Sequence, residues 1–129
     1  MNKMHRSMMQ VYVKNSNQAI MFYQNAFDAK VLCDHKNEDG TVAHAELDIY
    51  GQVFTICEAR DETTDTGNVM QFCLHFGEGK EVVVKKAYDI LREDCIKLTA
   101  PITKPGECPW SPCLFGLIDK FGVNWCVFV

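Results

Sequence analysis

The sequence has no excess of positive charge and no long apolar run. Its 129 residues include 13 lysines and arginines against 17 aspartates and glutamates, which gives a net charge of −4. Binding to nucleic acid through its phosphates requires a basic surface, so this balance argues against a nucleic-acid partner. The apolar runs are also far shorter than the roughly 20 residues of a membrane-spanning helix. We therefore expect neither nucleic acid nor membrane as a partner.

The first residues also lack the apolar segment of a secretory signal. MNKMHRSMM, residues 1–9, is mostly polar and methionine-rich, whereas a signal peptide carries a continuous apolar core. Seven cysteines, an odd number, lie mostly inside apolar runs, where a free thiol behaves as a small apolar side chain. We therefore expect reduced thiols and a cytoplasmic protein. Only Cys108 and Cys113 form a close pair, and without a second pair they do not predict a zinc site.

Proline is absent everywhere except in one stretch. All four prolines lie between residues 101 and 112, which predicts an irregular loop there. Trp110 lies in this loop, and the sequence leaves two roles open for it. It covers a binding site as a lid, or it pins the loop to the core.

Strand and helix patterns occur in the same order twice. In the first half, strands are predicted at 8–13, 30–36, 42–49 and 52–58, with a helix capped by Ser16 after the first strand. In the second half, strands are predicted at 69–76, 95–99, 113–118 and 122–129, with a helix at 79–93. Each half thus reads βαβββ, and a polar segment joins them. We predict one α+β domain over 1–129, with module one at about 7–58, a linker at 59–68 and module two at about 69–129.

A short motif repeats at equivalent places of the two halves. DIYGQVF at 48–54 and DKFGVNW at 119–125 share an Asp, an aromatic residue, a Gly and a second aromatic residue at the same spacing. Because the surrounding order of elements repeats as well, the sequence indicates an internal repeat.

Alternation along the strands assigns their faces. One face is apolar, as Ala43, Ala45, Leu47 and Ile49 illustrate, so we expect the helices to cover it. Trp125 is predicted to lie in this core. The other face mixes polar, sulfur and aromatic groups, which suits cupped mixed sheets that line a semi-polar cavity, with the helices on the outer face. The candidate ligand-binding residues are Met8, Tyr12, His44, Gln71, Cys73, His75, Trp110, Asn124, Cys126 and Phe128.

These features together resemble a known superfamily. The paired βαβββ modules, the helix segment IMFYQNAF at 20–27 and the ending DKFGVNW at 119–125 are similar to the vicinal oxygen chelate superfamily of glyoxalases, bleomycin-resistance proteins and extradiol dioxygenases. Trp110 and the Phe115-Gly116 pair further resemble its PhnB-like branch, also called 3-demethylubiquinone-methyltransferase-like. The resemblance covers essentially the whole chain. It implies a homodimer that binds a small-molecule ligand in its cup.

The superfamily is known for a divalent metal held by His and Glu of the first, fourth, fifth and eighth strands. The resemblance places these positions on Met8, Thr55, Gln71 and Cys126, with Cys57 or Glu58 as alternatives to Thr55. Hard cations prefer oxygen ligands, and zinc prefers His, carboxylate or thiolate. This set does not supply them, so we expect no standard metal tetrad and no cofactor.

Several alternatives stay open from the sequence. His44, Glu46 or His75 could replace the standard ligands in a metal-dependent lyase or dioxygenase, although His44 and Glu46 equally suit pairing with a charged neighbour across strands. A catalytic Cys126 would need an adjacent base such as His75. An antibiotic-binding protein of the bleomycin or fosfomycin type, or a dimerisation module with a filled cup, would share the fold. No catalytic residue is assigned, and the sequence does not decide whether the protein is an enzyme.

Overall fold

The computed structural model describes residues 3–60 and 69–129 and shows the repeated order of elements. The first module contains β1 (Met9–Val13), α1 (Ser16–Phe27), β2 (Lys30–Lys36), β3 (Val42–Ile49) and β4 (Gln52–Glu58). The second contains β5 (Phe72–His75), α2 (Glu81–Leu91), β6 (Lys97–Ala100), β7 (Leu114–Ile118) and β8 (Asn124–Phe128). The prediction of an α+β fold with two βαβββ modules is confirmed. Most of the predicted linker, residues 61–68, lies outside the described residues.

Each module forms one four-stranded mixed sheet. The strand orders are β1-β4-β3-β2 and β5-β8-β7-β6, which we call the first and the second sheet. In each sheet the first strand of the module pairs in parallel with its last, and the other pairings are antiparallel. As a result β1 and β5 each have one edge that pairs with no strand within the described parts of the chain.

The core lies on the helix side of both sheets and runs through both modules. Helices α1 and α2 pack against each other, and a cluster of aromatic rings joins the modules beneath them. The Tyr23 ring centroid lies 5.1 Å from that of Phe54 and 5.6 Å from that of Trp125. Phe27 also packs on Trp125, which is fully buried. The prediction that Trp125 belongs to the core is confirmed. We call this side the helix face of each sheet and the opposite side its open face.

Several predicted element boundaries were wrong by a few residues. β1 begins at Met9, so Met8 precedes the strand, and α2 is shorter at both ends than the predicted 79–93. β5 begins only at Phe72, after Gln71, and the Gln71 side chain contacts the neighbouring strand. Its Nε2 donates to the carbonyl oxygen of Trp125 at 3.2 Å.

The predicted helix cap was also wrong. Ser16 is the first residue of α1, and Asn15 precedes it in a left-handed conformation with no side-chain cap. The Ser16 hydroxyl instead donates to Glu58 Oε1 at 2.8 Å and accepts from the backbone N–H of Val42 at 3.0 Å. It therefore fastens the start of α1 to β3 and β4 and does not cap the helix.

The face of Ala43 differs from the prediction. Ala43 is exposed, whereas its neighbour Val42 is fully buried. The pairing of β2 with β3 shifts register between His35 and Lys36, and such an irregularity interrupts the alternation of faces. From His44 onward the predicted alternation holds, with Ala45 buried.

The repeated motif forms the turns before β4 and β8. Gly51 and Gly122 have φ of 91° and 92°, conformations that favour glycine. In the second turn Asp119 is fully buried and accepts four hydrogen bonds. Its Oδ1 accepts from the backbone N–H groups of Phe121 and Val123, at 2.9 and 3.0 Å. Its Oδ2 accepts from the Tyr23 hydroxyl at 2.6 Å and from Trp125 Nε1 at 2.8 Å.

These hydrogen bonds explain the first and last positions of the motif, which the sequence alone did not. The first and last residues of DKFGVNW are a buried carboxylate and the indole that donates to it. Burial raises the pKa of Asp119, although its hydrogen bonds act in the opposite direction.

The two α-helices of the described residues are too short or too polar to cross a membrane.

Candidate functional site

The open face of the second sheet brings six of the ten predicted site residues together. Cys73 is the register partner of Cys126, and His75 is the partner of Phe128. Residues paired in this way project side by side from the same face of a sheet. We call this group the β5–β8 face. Its members are Gln71, Cys73, His75, Asn124, Cys126 and Phe128.

Two amides lie at one end of the β5–β8 face. Gln71 Nε2 donates to Asn124 Oδ1 at 3.1 Å and also to the carbonyl oxygen of Trp125. The amide groups therefore hold each other in a defined orientation, with Gln71 exposed and Asn124 half-buried. A pair of this kind offers both donors and acceptors to a ligand.

An aromatic pair lies at the other end. The ring centroids of His75 and Phe128 are 4.5 Å apart and the rings are nearly parallel, at 10°. Among the residues that the structure describes, no hydrogen bond joins His75 to Cys73 or Cys126. The stacked rings thus form a flat wall, and the hypothesis that His75 activates a thiol has no support from this geometry.

The thiols of Cys73 and Cys126 lie between these ends and form a polarizable surface. Burial, and then the neighbouring Cys73, raises the pKa of Cys126 to about 11. Cys126 is therefore protonated at neutral pH, whereas a nucleophilic cysteine must be a thiolate.

A cavity of about 370 Å³ runs along the free edge of β5. Cys73 and His75 line it from the strand, Lys80 lines it from the segment before α2, and Tyr50 lines it from the turn of the first module. The volume lies at the lower end of the range for small-molecule pockets.

A second cavity of about 390 Å³ runs along the free edge of β1. Tyr12 and Gln10 line it from the strand, and Phe121 and Asn124 line it from the turn and β8 of the second module. The two cavities correspond through the internal repeat, since each follows a free strand edge and ends on the glycine turn of the other module. Tyr12 and Asn124 are thereby brought to one cavity.

Comparison with known proteins identifies the fold. No family model matches the sequence, and no curated protein matches it. Solved structures do match over nearly the whole chain. A PhnB protein from Bacillus cereus is 21% identical and has a TM-score of 0.77, with 96% of this chain and 98% of that chain covered. The chain has the vicinal oxygen chelate fold.

Two further structures with the vicinal oxygen chelate fold belong to differently named proteins. TioX from Micromonospora sp. ML1 is 14% identical with a TM-score of 0.65, covering 95% of this chain and 93% of that chain. The fosfomycin resistance protein FosX from Listeria monocytogenes is 11% identical with a TM-score of 0.67, covering 98% and 94%. A variant of the Listeria protein was solved with Mn(II) and 1S,2S-dihydroxypropylphosphonic acid.

The residues at the metal positions of the vicinal oxygen chelate superfamily do not fit a divalent cation here. Thr55 is buried, and its hydroxyl donates to the carbonyl oxygen of Met9 at 3.3 Å. Gln71 is engaged with Asn124, and Cys126 is a neutral thiol. Met8 offers only an exposed thioether.

The alternatives to Thr55 fit no better. Burial raises the pKa of Cys57, and Glu58 accepts two hydrogen bonds from Ser16. Burial thus favours the neutral thiol of Cys57, and the Glu58 carboxylate is occupied by Ser16.

Three predicted site residues lie away from the β5–β8 face and from both cavities. Met8 is exposed ahead of β1, and His44 lies on the open face of the first sheet, 3.0 Å from Glu46. Trp110 is 72% exposed in the proline-rich loop. The interpretation that Trp110 pins this loop to the core is therefore wrong. Ser111 does so instead, because its buried hydroxyl contacts the carbonyl oxygen of Val129 at 2.8 Å.

Proposed function

We propose that this chain is a PhnB-like protein that binds a small organic molecule on the β5–β8 face, without the standard metal tetrad. The observation that carries the proposal is the composition of this face. Two oriented amides, two thiols and a stacked aromatic pair lie side by side on adjacent strands. Ligand sites combine apolar walls with a few placed polar groups in this way.

The two ends of the β5–β8 face would contact different parts of the ligand. Gln71 and Asn124 would hydrogen-bond the polar part of the ligand, and Tyr12 would add a hydroxyl from the cavity that it shares with Asn124. The apolar part would lie on Phe128 and on the thiols of Cys73 and Cys126. A ligand that combines an aromatic or apolar portion with hydrogen-bonding groups suits this surface.

A second copy of the chain would complete the site. Tyr12, Met70 and Trp110 are large apolar side chains that are 61%, 68% and 72% exposed, and exposed apolar patches mark interaction surfaces. The free edges of β1 and β5 lie beside the two cavities. We propose a cytoplasmic homodimer in which the partner closes the cup over the β5–β8 face and gives Met8 and Trp110 a surface to contact.

Native mass spectrometry of freshly purified protein tests ligand binding and dimerisation together. We expect twice the chain mass, plus a bound mass that leaves on denaturation. A thermal-shift screen with a library of small organic compounds, fosfomycin included, supplies the second readout. Asn124→Ala should weaken the shift of any compound that binds, by at least about tenfold in affinity, because a polar partner is lost in a desolvated site. Asn25→Ala, an exposed change on α1, is the matched control and should leave binding unchanged.

Two results would count against the proposal. One is a monomer with no retained mass and no compound in the library that shifts the melting temperature. The other is binding that Asn124→Ala and Asn25→Ala affect equally. A shift with fosfomycin alone would instead favour the antibiotic-binding alternative.

A further inference from the structure

The hairpin of β2 and β3 brings together side chains that ligate transition metals. Cys33 is the register partner of Glu46, and His35 is the register partner of His44. The two strands thus place Cys33 and His35 beside Glu46 and His44 on the open face of the first sheet. Neither the cup ligands of the proposed function nor the superfamily metal positions include Cys33 or His35.

Three of these side chains lie within reach of one ion. The Cys33 sulfur, a ring nitrogen of His44 and a carboxylate oxygen of Glu46 all lie within 4.8 Å of one another. His44 Nε2 and Glu46 Oε2 are 3.0 Å apart. All three residues are half-buried, so the cluster is sheltered and still accessible to an ion from solution.

We propose that Cys33, His44 and Glu46 form a binding site for a zinc-class divalent transition metal. Thiolate, imidazole and carboxylate are the three protein ligands of zinc, at about 2.3, 2.0 and 2.1 Å. Tetrahedral geometry at such bond lengths separates two ligand atoms by about 3.3 Å or more. Small side-chain rotations bring the present cluster to that spacing. Three protein ligands leave the fourth position for water.

Arg6 occupies this cluster as a competing cation. Its NH1 and NH2 groups donate to the two carboxylate oxygens of Glu46, each at 3.0 Å. His44 Nε2 also lies 3.0 Å from Glu46 Oε2, so Arg6 and His44 contact the same carboxylate. A metal would displace the Arg6 guanidinium from Glu46. Removal of Arg6 should therefore strengthen metal binding.

The site is independent of ligand binding on the second sheet. β2 and β3 contribute its residues, whereas the β5–β8 face belongs to the other sheet. Metal binding on the first sheet can therefore fail while ligand binding on the β5–β8 face succeeds, and the reverse also holds.

Cobalt(II), added to the reduced full-length protein after removal of metals by a chelator, tests the proposal. Cobalt bound by thiolate gives a sulfur-to-metal charge-transfer band, and we expect this band at one cobalt per chain, with loss of the band on addition of zinc. Cys33→Ser should abolish the band, and His44→Gln should weaken cobalt binding by at least about tenfold. Arg6→Gln should tighten it by about two- to fivefold, the scale of an exposed ion pair.

Controls separate this site from the other cysteines. The double change of Cys73→Ser and Cys126→Ser should leave the band and its affinity unaltered. The proposal is overturned if wild-type protein shows no charge-transfer band at saturating cobalt, if the band survives in Cys33→Ser, or if the double change removes it. Loss of affinity through misfolding cannot produce the tighter binding expected of Arg6→Gln, and weaker or equal binding by that variant would contradict the competition.

Discussion

At the scale of single residues, Asp119 contributes more to the stability of this protein than its position in a turn indicates. The buried carboxylate accepts two backbone and two side-chain hydrogen bonds. Burial also raises the pKa of Tyr23 well above its usual value, so the phenol stays protonated and donates to Asp119. An acceptor that serves four donors, three of them in buried hydrogen bonds, cannot be removed without leaving some of them unpaired.

We predict that Asp119→Asn lowers the free energy of unfolding by about 1–3 kcal/mol. The substituted amide nitrogen cannot accept the hydrogen bond from Trp125 Nε1. Asp48→Asn at the equivalent position of the first module is the matched control, because Asp48 is only half-buried and accepts a single turn hydrogen bond, from Gly51 at 2.7 Å. Urea unfolding followed by circular dichroism measures both. Equal losses in the two variants would show that the burial of Asp119 has no special effect.

At the scale of elements, the glycine turns decide where β4 and β8 begin. We predict that Gly122→Ala and Gly51→Ala each cost about 1–2 kcal/mol, because a side chain at a φ near 90° is strained. Glu107→Ala, at an exposed position of the proline-rich loop, should change stability by less than about 0.5 kcal/mol. Thermal and urea unfolding would test this. Glycine variants as stable as Glu107→Ala would refute the turn argument.

The elements also show what the sequence could predict. β2, β3 and β4 have the predicted bounds, because the turn residues at 37–40 and 50–51 separate them and β3 alternates between apolar and polar residues. β5 is shorter than predicted, and ahead of it the Gln71 side chain contacts the neighbouring strand, a contact that no local pattern indicates. The buried Val42 and exposed Ala43 reflect a shift in strand pairing, which depends on a partner strand and leaves no local signal.

The sequence also predicted part of the candidate site. Alternation assigned Cys73, Asn124 and Cys126 to one face, and the structure brings them together there. The cluster of Cys33, His44 and Glu46 was missed in part, because only the register of β2 against β3 places Cys33 beside the other two. Tyr23, which donates to Asp119, lies 96 residues away in the chain, so no local pattern could reveal that contact.

At the scale of the whole molecule, the two modules depend on one shared core. The Tyr23 hydroxyl of the first module donates to Asp119 of the second, and the Tyr23 ring packs against Trp125. We predict that Tyr23→Phe costs about 1 kcal/mol and that its effect and that of Asp119→Asn are not additive, with a coupling of at least about 0.5 kcal/mol. A double-mutant cycle by urea unfolding measures the coupling.

The same experiment tests whether the modules unfold together. Tryptophan fluorescence and circular dichroism should report one coincident transition, as expected of a single cooperative unit. Additive losses in the cycle, or two separate transitions, would mean that the modules are independent.

The two sheets of the internal repeat have equivalent strand orders but different side chains at equivalent paired positions. Gln10 pairs with Thr55 on the first sheet, and Cys73 pairs with Cys126 at the equivalent place on the second. The two modules thus share their glycine turns but differ at the paired positions, with an amide and a hydroxyl on one sheet and two thiols on the other. A molecule that touched both paired positions would meet the Gln10 amide on the first sheet and two thiols on the second, so its two ends would face different chemistry.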